Sequence, residues 1–420
     1  MNGPNRPRRP KIGEPGEIRA ESFSEGDAGE EPRPKPTRIK APKASKNSRR
    51  KKKLRAFKRD REESKEKARE RFREREAARG PTTEAELPTF FAALRKLARG
   101  EPSALRDEIF KLKDWFTSVR DNRPSGYMNL PKVQAAYLAY HLPLHLPELA
   151  WIRKRVPLAK PERPLKFLDY GCGPGTASLG WLESDPDVPV AKWTLADISS
   201  RAIENAEILL KTVRPDLNVE RRKLPEGWHR VPWRDRFDHI LLSHVLNEMG
   251  SGPRARDRKA EFVLTLASEA LEANGTIWIV EPPLREPSLD LMWLRDTLVA
   301  EGFEILAPCP RGVEVCPMAA RKLGWCYAQP PRGDAPVDGL RDWDQKIERA
   351  MGSRLDRMGF SFIVARVPGD AVRAEERPRP HGVAVTDENA WQRWVCTETG
   401  IKQTESRPPY RGFWTPPKAK

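Results

Sequence analysis

Long apolar segments are missing from this 420-residue sequence, in which hydrophobic residues make up only 38% of the chain. No run approaches the roughly 18 to 20 apolar residues of a membrane-spanning helix. The first residues, MNGPNRPRRPKIGEPGE, contain prolines and acidic residues but no apolar region. This composition suits neither a secretory signal nor a transit helix. We therefore expect a soluble protein without a membrane partner, placed in the bacterial cytoplasm, with the mitochondrial matrix as the alternative compartment.

Cysteine is also scarce, with five residues in the whole chain. Without a secretion signal, five cysteines do not predict a disulfide framework. Three of them, Cys309, Cys316 and Cys326, fall in one short segment, and Cys396 lies far downstream. Clustered thiolates of this kind favour a closed four-sulfur metal site. Paired Cys-x-x-Cys knuckles, typical of structural zinc, are missing, so a zinc ion and an iron-sulfur cluster both stay open, and the wider span of a cluster fits the distant fourth cysteine better.

Positive charge is abundant and unevenly spread. The formal net charge is +17, and residues 1 to 80 hold 27 Lys and Arg against 14 Asp and Glu, a net +13. Concentrated positive charge binds polyanions by neutralising phosphates and releasing counterions. The alternative is a solubilising tail without a partner.

Composition divides the chain into four predicted regions. Residues 1–83 form a basic arm, with 1–45 expected to be disordered and the segment from Ser48 expected to be a solvated helix of alternating charge. That helix would either lie along an RNA backbone or act as a spacer. Residues 84–160 form a helical preface to an α/β domain at 161–368, and residues 369–420 form a C-terminal extension that supplies the fourth cysteine.

The helical preface contains two periodic segments. Leu105, Ile109, Leu112 and Phe116 recur at helical spacing, and a second helix is expected from Pro131, broken around Pro143. His141 and His145 are four residues apart across that proline. Because no acidic partner accompanies them in the sequence, we interpret both histidines as structural; the alternative is a metal-binding role.

The α/β region alternates strands with helices. The predicted strands are at 165–170, 191–199, 218–224, 237–245, 275–282, 303–308 and 360–367. Repeated βα units predict a doubly wound, mostly parallel, seven-stranded sheet. A cysteine-rich metal-binding insertion is expected at 308–330, after the sixth strand.

A glycine-rich loop follows the first predicted strand and reads Asp169-Tyr-Gly171-Cys-Gly173-Pro-Gly175. Glycines at alternate positions before a helix allow the backbone to approach a ligand closely. The spacing is neither that of a dinucleotide fold nor that of a phosphate loop. It resembles motif I of the class I S-adenosylmethionine-dependent methyltransferases, and Cys172 is interpreted as a small residue facing the sheet. The alternative is an α/β domain with an incidental turn.

The methyltransferase resemblance extends to Asp197, which ends the second predicted strand, where a carboxylate can accept hydrogen bonds from both ribose hydroxyls. We expect Asp169, Gly171, Gly173, Gly175 and Asp197 to bind the cofactor, S-adenosyl-L-methionine. The implied fold is an α/β, doubly wound, class I methyltransferase-like (Rossmann-like) sheet.

No specific motif marks the region where the acceptor of the methyl group would bind. After the fourth strand the sequence reads Ser243-His244-Val-Leu-Asn247-Glu248, which lacks the Asn/Asp-Pro-Pro-aromatic motif of adenine amino methyltransferases. His244, Asn247 and Glu248 are candidate acceptor contacts, with a helix-cap or core role as the alternative for each. Catalytic residues are therefore left unassigned.

The cysteines refine the resemblance. Behind this glycine loop, the sixth predicted strand leads into Ala-Pro-Cys309-Pro, followed by Cys316-Pro and Trp-Cys326-Tyr. This arrangement is similar to the methyltransferase-like assembly-factor family of the mitochondrial small ribosomal subunit and its bacterial relatives. The similarity covers roughly residues 100 to 400. The resemblance implies a 4Fe-4S cluster on Cys309, Cys316, Cys326 and Cys396. It also implies contact with small-subunit rRNA. Glu281-Pro-Pro departs from the family pattern near the cofactor pocket.

Two functions from different classes follow. The chain is expected to be an S-adenosylmethionine-binding, iron-sulfur-containing rRNA methyltransferase of small-subunit assembly or translation. The alternative is a catalytically inactive, RNA-binding ribosome assembly factor that keeps the methyltransferase fold. In both cases we expect a monomer whose partner is the small ribosomal subunit.

Overall fold

The computed structural model describes residues 89–117, 126–225, 227, 229, 233–309, 316, 318–319, 324–367, 384–386, 392–397 and 400–405. All of these lie in the unit Pro81–Lys420. The predictions for the basic arm therefore fall outside the described residues. Within the described ranges, no helix combines the length and apolar character that crossing a membrane requires.

Eleven strands lie in the described ranges. They are β1 Leu165–Tyr170, β2 Val190–Asp197, β3 Val219–Lys223, β4 Phe237–Ser243, β5 Leu271–Glu281, β6 Glu304–Ala307, β7 Trp325–Cys326, β8 Ser361–Arg366, β9 Ala384–Thr386, β10 Gln392–Thr397 and β11 Gly400–Glu405.

Seven of the strands form one sheet in the order β3-β2-β1-β4-β5-β8-β6. Strands β1 to β5 run parallel, and β8 runs antiparallel to both of its neighbours, β5 and β6. This order and the one reversed strand are those of a class I methyltransferase-like sheet, which confirms the predicted fold.

The strand order reverses at β1, which pairs with β2 on one side and β4 on the other. In open α/β sheets the crevice outside the carboxyl ends of strands at such a point is where ligands bind. The segments that leave β1, β2 and β4 all emerge at this edge, and the glycine loop is the first of them.

Helices cover both faces of the sheet. They are α1 Thr89–Ala98, α2 Arg106–Thr117, α3 Pro131–Ala136, α4 Leu142–Arg153, α5 Thr176–Ser184, α6 Ser200–Val213, α7 Pro253–Ala270, α8 Arg285–Ala300 and α9 Leu340–Met351, with a π-helical segment at Tyr137–His141. Phe167 and Leu168, adjacent on β1, belong to separate hydrophobic clusters on the two faces. Because both faces of the central strands are buried, β1 and β4 are mostly apolar, whereas the edge strand β3 is polar and partly exposed.

The helical preface differs from the prediction at Pro143. The chain is helical without interruption from α3 through the π-helical segment to the end of α4, so the expected break is wrong. A proline inside a helix removes an N–H and leaves the carbonyl four residues earlier without its donor. Here that carbonyl belongs to Ala139, and the indole Nε1 of Trp343 donates to it at 3.0 Å.

The second proline of α4 is accommodated in the same way. Pro147 leaves the carbonyl of Pro143 without a helical donor, and Arg332 Nη2 donates to it at 2.6 Å. Arg332 also forms a buried ion pair with Asp344, with an Nε–Oδ2 distance of 2.6 Å. Donors from residues 332 and 343 thus allow a proline-containing helix to continue.

A second, four-stranded sheet has the order β11-β10-β9-β7. Its first strand, β7, follows the cysteine-rich segment, and its last three come from the C-terminal extension.

Candidate functional site

A cavity of about 300 Å³ opens at the carboxyl ends of β1, β2 and β4. Its floor includes Gly171 and Gly173 from the glycine loop and Asp197 from the end of β2. The helical preface closes it from above through Tyr137 and His145, among others. The volume is at the small end of the range for small-molecule sites, and the position is the one that the strand order predicts for a ligand.

The three loop glycines have different surroundings. All have positive φ, at +69° for Gly171, +51° for Gly173 and +88° for Gly175. A Cβ on Gly171 would lie 2.7 Å from Val245 Cγ2, and one on Gly175 would lie 2.9 Å from Leu210 Cδ1.

Gly173 is the exception, because a Cβ there would meet nothing nearer than the Tyr137 hydroxyl at 4.0 Å. Gly171 and Gly175 are therefore required by packing. Gly173 faces the open space of the cavity, where a side chain would occupy the volume available to a ligand.

Asp169 lies behind the loop and does not line the cavity. Its Oδ2 accepts hydrogen bonds from the backbone N–H and the hydroxyl of Ser178, in the first turns of α5. Its buried Oδ1 has no hydrogen-bond partner among the described residues. Burial raises the pKa of Asp169 to about 7. The carboxyl group thus ties β1 to α5.

Asp197 is buried at the cavity wall and oriented by the loop. Its Oδ2 accepts from the Gly173 N–H at 2.8 Å, and its Oδ1 accepts from the Ser199 N–H at 2.8 Å. Burial raises the pKa of Asp197 to about 6, and the N–H groups of Ser199, Gly173 and Ile198 oppose that rise. A carboxylate accepts at about four positions, so acceptor capacity remains after these donors.

The three candidate acceptor contacts, His244, Asn247 and Glu248, all line the cavity. His244 has φ of +59°, an uncommon conformation for a residue with a side chain, and its N–H donates to Val280 O at 2.7 Å. Asn247 Nδ2 donates to the His244 carbonyl at 3.1 Å. These contacts fix the turn that follows β4.

Glu281, at the end of β5, supports this turn from below. Its two carboxylate oxygens accept from the backbone N–H groups of Leu246 at 2.8 Å and Asn247 at 3.1 Å. Burial raises the pKa of Glu281, partly offset by His244. The Glu281-Pro-Pro sequence therefore supplies structural support for the acceptor side.

Glu148 was missed by the sequence analysis. Its carboxylate lies 2.9 Å from His145 Nδ1 and 2.9 Å from His244 Nε2. The interpretation that no acidic partner accompanies the preface histidines is therefore wrong. His145 and Glu148 are three residues apart on α4, a spacing that places them on one helix face, and this was the available signal.

The three described cysteines of the metal set gather around α8. Cys309 is hydrogen-bonded by Arg295 and interacts electrostatically with Cys316. Cys316 and Cys326 pack in one small cluster with Met292. None of the three is in a disulfide.

The environment of these thiols combines burial with hydrogen-bond donors. Burial raises the pKa of Cys309, and Arg295 opposes that rise. Burial also raises the pKa of Cys316, and the N–H groups of Ala319 and Met318 oppose it. N–H and guanidinium donors directed at sulfur are the kind of contact that tunes thiolate-ligated clusters.

The thiol spacing differs from that of a single tetrahedral ion. With zinc–sulfur bonds of 2.3 Å, the sulfurs would lie about 3.8 Å apart. Among the described residues, three metal-binding donor atoms lie within 4.8 Å of one another only at His145, Glu148 and His244. The sulfurs of Cys309, Cys316 and Cys326 do not meet this limit together, so at least one pair of them is more than 4.8 Å apart.

The backbone places Cys396 in the same small sheet as Cys326. Cys326 on β7 is in register with Val385 on β9, and Val385 is in register with Trp394 on β10. Cys396 is two residues further along β10. The sheet thus brings a residue 70 positions downstream to within two strands of Cys326.

A protein-family comparison matches residues 131–330 to the family described as "Mitochondrial small ribosomal subunit Rsm22". The matched region begins at α3 and extends past Cys326. No curated protein sequence matches this chain.

Several solved structures are similar at low sequence identity. Magnesium protoporphyrin IX methyltransferase from Synechocystis, solved with bound S-adenosylmethionine, is 16% identical, with 62% of this chain and 96% of that chain covered and a TM-score of 0.31. An O-methyltransferase family protein from Burkholderia thailandensis is 11% identical, with coverages of 64% and 72% and a TM-score of 0.35. A ribosomal protein L11 methylase from Lactobacillus delbrueckii is 17% identical, with coverages of 38% and 69% and a TM-score of 0.26. The strand order, and not these similarities, defines the fold.

Proposed function

We propose that this chain binds S-adenosylmethionine in the cavity at the carboxyl edge of its sheet and methylates RNA of the small ribosomal subunit. The observation that carries the proposal is the open space in front of Gly173, bounded by the Asp197 carboxylate. Packing explains the other two loop glycines. At Gly173 the φ of +51° also favours glycine, but no protein atom fills the space that a side chain would enter, so that space stays open for a ligand.

The residues of the cavity fit the cofactor. The backbone around Gly173 would lie against the methionine portion, because the absence of a Cβ permits close approach. Asp197 would accept hydrogen bonds from the ribose hydroxyls through the acceptor capacity that its backbone N–H donors leave. The cofactor would supply the electrophilic methyl group, and the protein would orient the acceptor and exclude water.

The ribosomal part of the proposal is supported by the family match over residues 131–330 and by the charge of the arm. The net +13 of residues 1 to 80 suits a partner made of phosphates. The protein would act where small subunits are assembled, in the bacterial cytoplasm or the mitochondrial matrix.

A second candidate function is that of a non-catalytic assembly factor that binds the cofactor and RNA. The turn after β4 favours it, because it presents His244, Asn247 and Glu248 in place of the motif that holds an amino-group acceptor. These side chains form hydrogen bonds within the protein that a catalytic acceptor site would have to rearrange.

The experiment that separates the two candidates is incubation of the purified protein with methyl-labelled cofactor and small-subunit precursor particles. Label entering the RNA, and lost in Gly173→Arg, supports the enzyme. Gly302→Arg is the matched control, because Gly302 has φ of +84° and open space around it but lies away from the cavity. Cosedimentation with particles without label transfer would support the assembly factor, whereas no cofactor binding by the wild type would overturn both candidates.

We also propose that Cys309, Cys316, Cys326 and Cys396 bind a 4Fe-4S cluster. Supporting this are the gathering of three thiols around α8 and the backbone register that brings β10 near Cys326. The cluster would connect the segment after β6 to the C-terminal extension.

The test is anaerobic purification followed by iron and sulfide analysis and visible absorption. We expect a brown protein whose iron is lost in Cys316→Ser and kept in Cys172→Ser, because Cys172 lies in the glycine loop. Stoichiometric zinc without iron would contradict the cluster and support the alternative metal.

A further inference from the structure

We propose that His145, Glu148 and His244 form a binding site for a divalent transition-metal ion, separate from the cysteine set and facing the cavity. The donor atoms of the three residues lie within 4.8 Å of one another. Two imidazoles and one carboxylate are a donor set that suits zinc, iron, cobalt and related ions. The inference concerns metal binding alone and does not rest on methyl transfer.

The three donors are held in place by independent parts of the fold. His145 and Glu148 lie one helical turn apart on α4, whose continuity past Pro143 depends on contacts from Trp343 and Arg332. His244 comes from the turn after β4, where its positive φ and the Asn247 hydrogen bond fix it. A site assembled from rigid elements in this way is organised before the ion arrives.

The charge around Glu148 favours a cation. The carboxylate is almost completely buried, and its hydrogen-bond partners among the described residues are the two imidazoles. Buried carboxylates are seldom left without a countercharge. The carboxylates of Glu281 and Glu248 also act on His244, which adds negative potential at the same place. Positive charge in this region comes from Lys113 and Arg332, which act on His141 and His145, and a divalent ion would add the charge that Glu148 contacts directly.

The surroundings provide both an open side and a further imidazole. His145 and His244 line the cavity, so an ion bound to them would keep coordination positions facing it. Metal sites that act on ligands have three protein donors and an open position of this kind. His141 lines the same cavity, its ring lies nearly parallel to that of His145 at 5.9 Å, and its buried Nε2 has no hydrogen-bond partner among the described residues.

The geometry also indicates what the ion would bind. The open positions would face a cavity bordered by Tyr137 and Asn247, on the acceptor side of Gly173. An oxygen donor entering there, such as a hydroxyl, a carbonyl or a phosphate oxygen, would complete the coordination of the ion. Oxygen-bearing ligands are therefore the chemical class that the site would take.

The test is a titration of the full-length protein with Co²⁺, followed by absorption spectroscopy and by competition with Zn²⁺. Cobalt bound by imidazole and carboxylate gives ligand-field bands without the intense charge-transfer band of thiolate ligation, so this site and the cysteine set are told apart in one spectrum. We expect one equivalent of cobalt bound without thiolate character.

Three variants make the assignment specific. Glu148→Gln and His244→Asn should each weaken this binding by at least about 100-fold, beyond the roughly 10- to 100-fold of an outer-sphere change. His145→Gln tests the same ligand set at a side chain that is 21% exposed. This substitution is less damaging to folding than a change at the buried Glu148. Glu183→Gln, on α5 outside the cavity, is the control and should bind as the wild type does. Cobalt bound only with thiolate character, or an unchanged affinity in His145→Gln, would overturn the proposal.

Discussion

Arg332 donates a hydrogen bond from Nη2 to the carbonyl of Pro143, the carbonyl that Pro147 leaves without a donor inside α4. Arg332 Nη1 donates to the next carbonyl, that of Leu144, at 2.9 Å. This one guanidinium therefore replaces the backbone donor that a proline removes. Since α4 carries His145 and Glu148, the same contact holds one side of the cavity.

Replacing Arg332 is expected to destabilise the fold strongly. Arg332→Met would leave Asp344 as a buried carboxylate without its partner and the Pro143 carbonyl without a donor. Loss of one member of a buried ion pair costs about 3 to 5 kcal/mol of unfolding free energy. Urea unfolding monitored by circular dichroism measures the change.

The matched control is Arg341→Met. Arg341 also pairs with a buried carboxylate, that of Glu348, but half of its side chain is exposed to solvent. Exposed pairs contribute about 1 kcal/mol or less. Equal losses in the two variants would show that the carbonyl contacts of Arg332 contribute nothing.

The buried carboxyl group of Asp169 predicts a pH dependence of stability. Its pKa is raised from 3.8 to about 7 by burial, so between these values the folded state binds more protons than the unfolded state. The free energy of unfolding should therefore fall as the pH rises from about 4 to 7, by an amount on the order of 4 kcal/mol.

Asp169→Asn isolates this contribution, because an amide cannot ionise. We expect the stability difference between the wild type and Asp169→Asn to decline over that pH range and to be constant above it. Asp187→Asn, at an exposed position, should leave the pH profile unchanged. A constant difference from pH 4 to pH 7 would mean that Asp169 ionises normally in the folded protein.

The close approach of Gly171 to Val245 predicts a steric cost. Gly171→Ala adds a Cβ at 2.7 Å from Val245 Cγ2 and also places a side chain at φ +69°. Overpacking costs about 1 to 3 kcal/mol and positive φ about 1 to 2 kcal/mol. Gly302→Ala carries only the second cost. In a Val245→Ala background, thermal unfolding should show the cost of Gly171→Ala reduced to that of Gly302→Ala.

The basic arm predicts salt-dependent RNA binding. Deleting residues 1 to 80 removes 27 of the 77 Lys and Arg residues. The slope of log affinity against log salt concentration reports the number of phosphates neutralised, so it should become flatter in the truncated protein. Filter binding to small-subunit rRNA at several salt concentrations measures it. An identical slope would indicate that the arm does not neutralise RNA phosphates and is a solubilising tail.

Much of the fold could be predicted from the sequence, because the signals involved are local. The glycine loop follows β1 at the residue expected, since an apolar run, a strand-end carboxylate and alternating glycines are contiguous. All seven predicted strands of the main sheet are present, with ends that differ by a few residues. The helix through Pro143 was mispredicted because its missing donors come from Arg332 and Trp343, about 190 and 200 positions away.

Some features of the candidate site could likewise be predicted from the sequence, and others could not. The sequence by itself determined the doubly wound sheet, the turn at Gly173 and the presence of Asp197 at a strand end, because steric and periodic rules act between near neighbours. Only the tertiary structure decided that Glu148 meets His244, 96 residues later, and that Gly173 rather than Asp169 faces the cavity. Packing of the helical preface over the carboxyl edge of the sheet brings these groups together, and no local pattern encodes that contact.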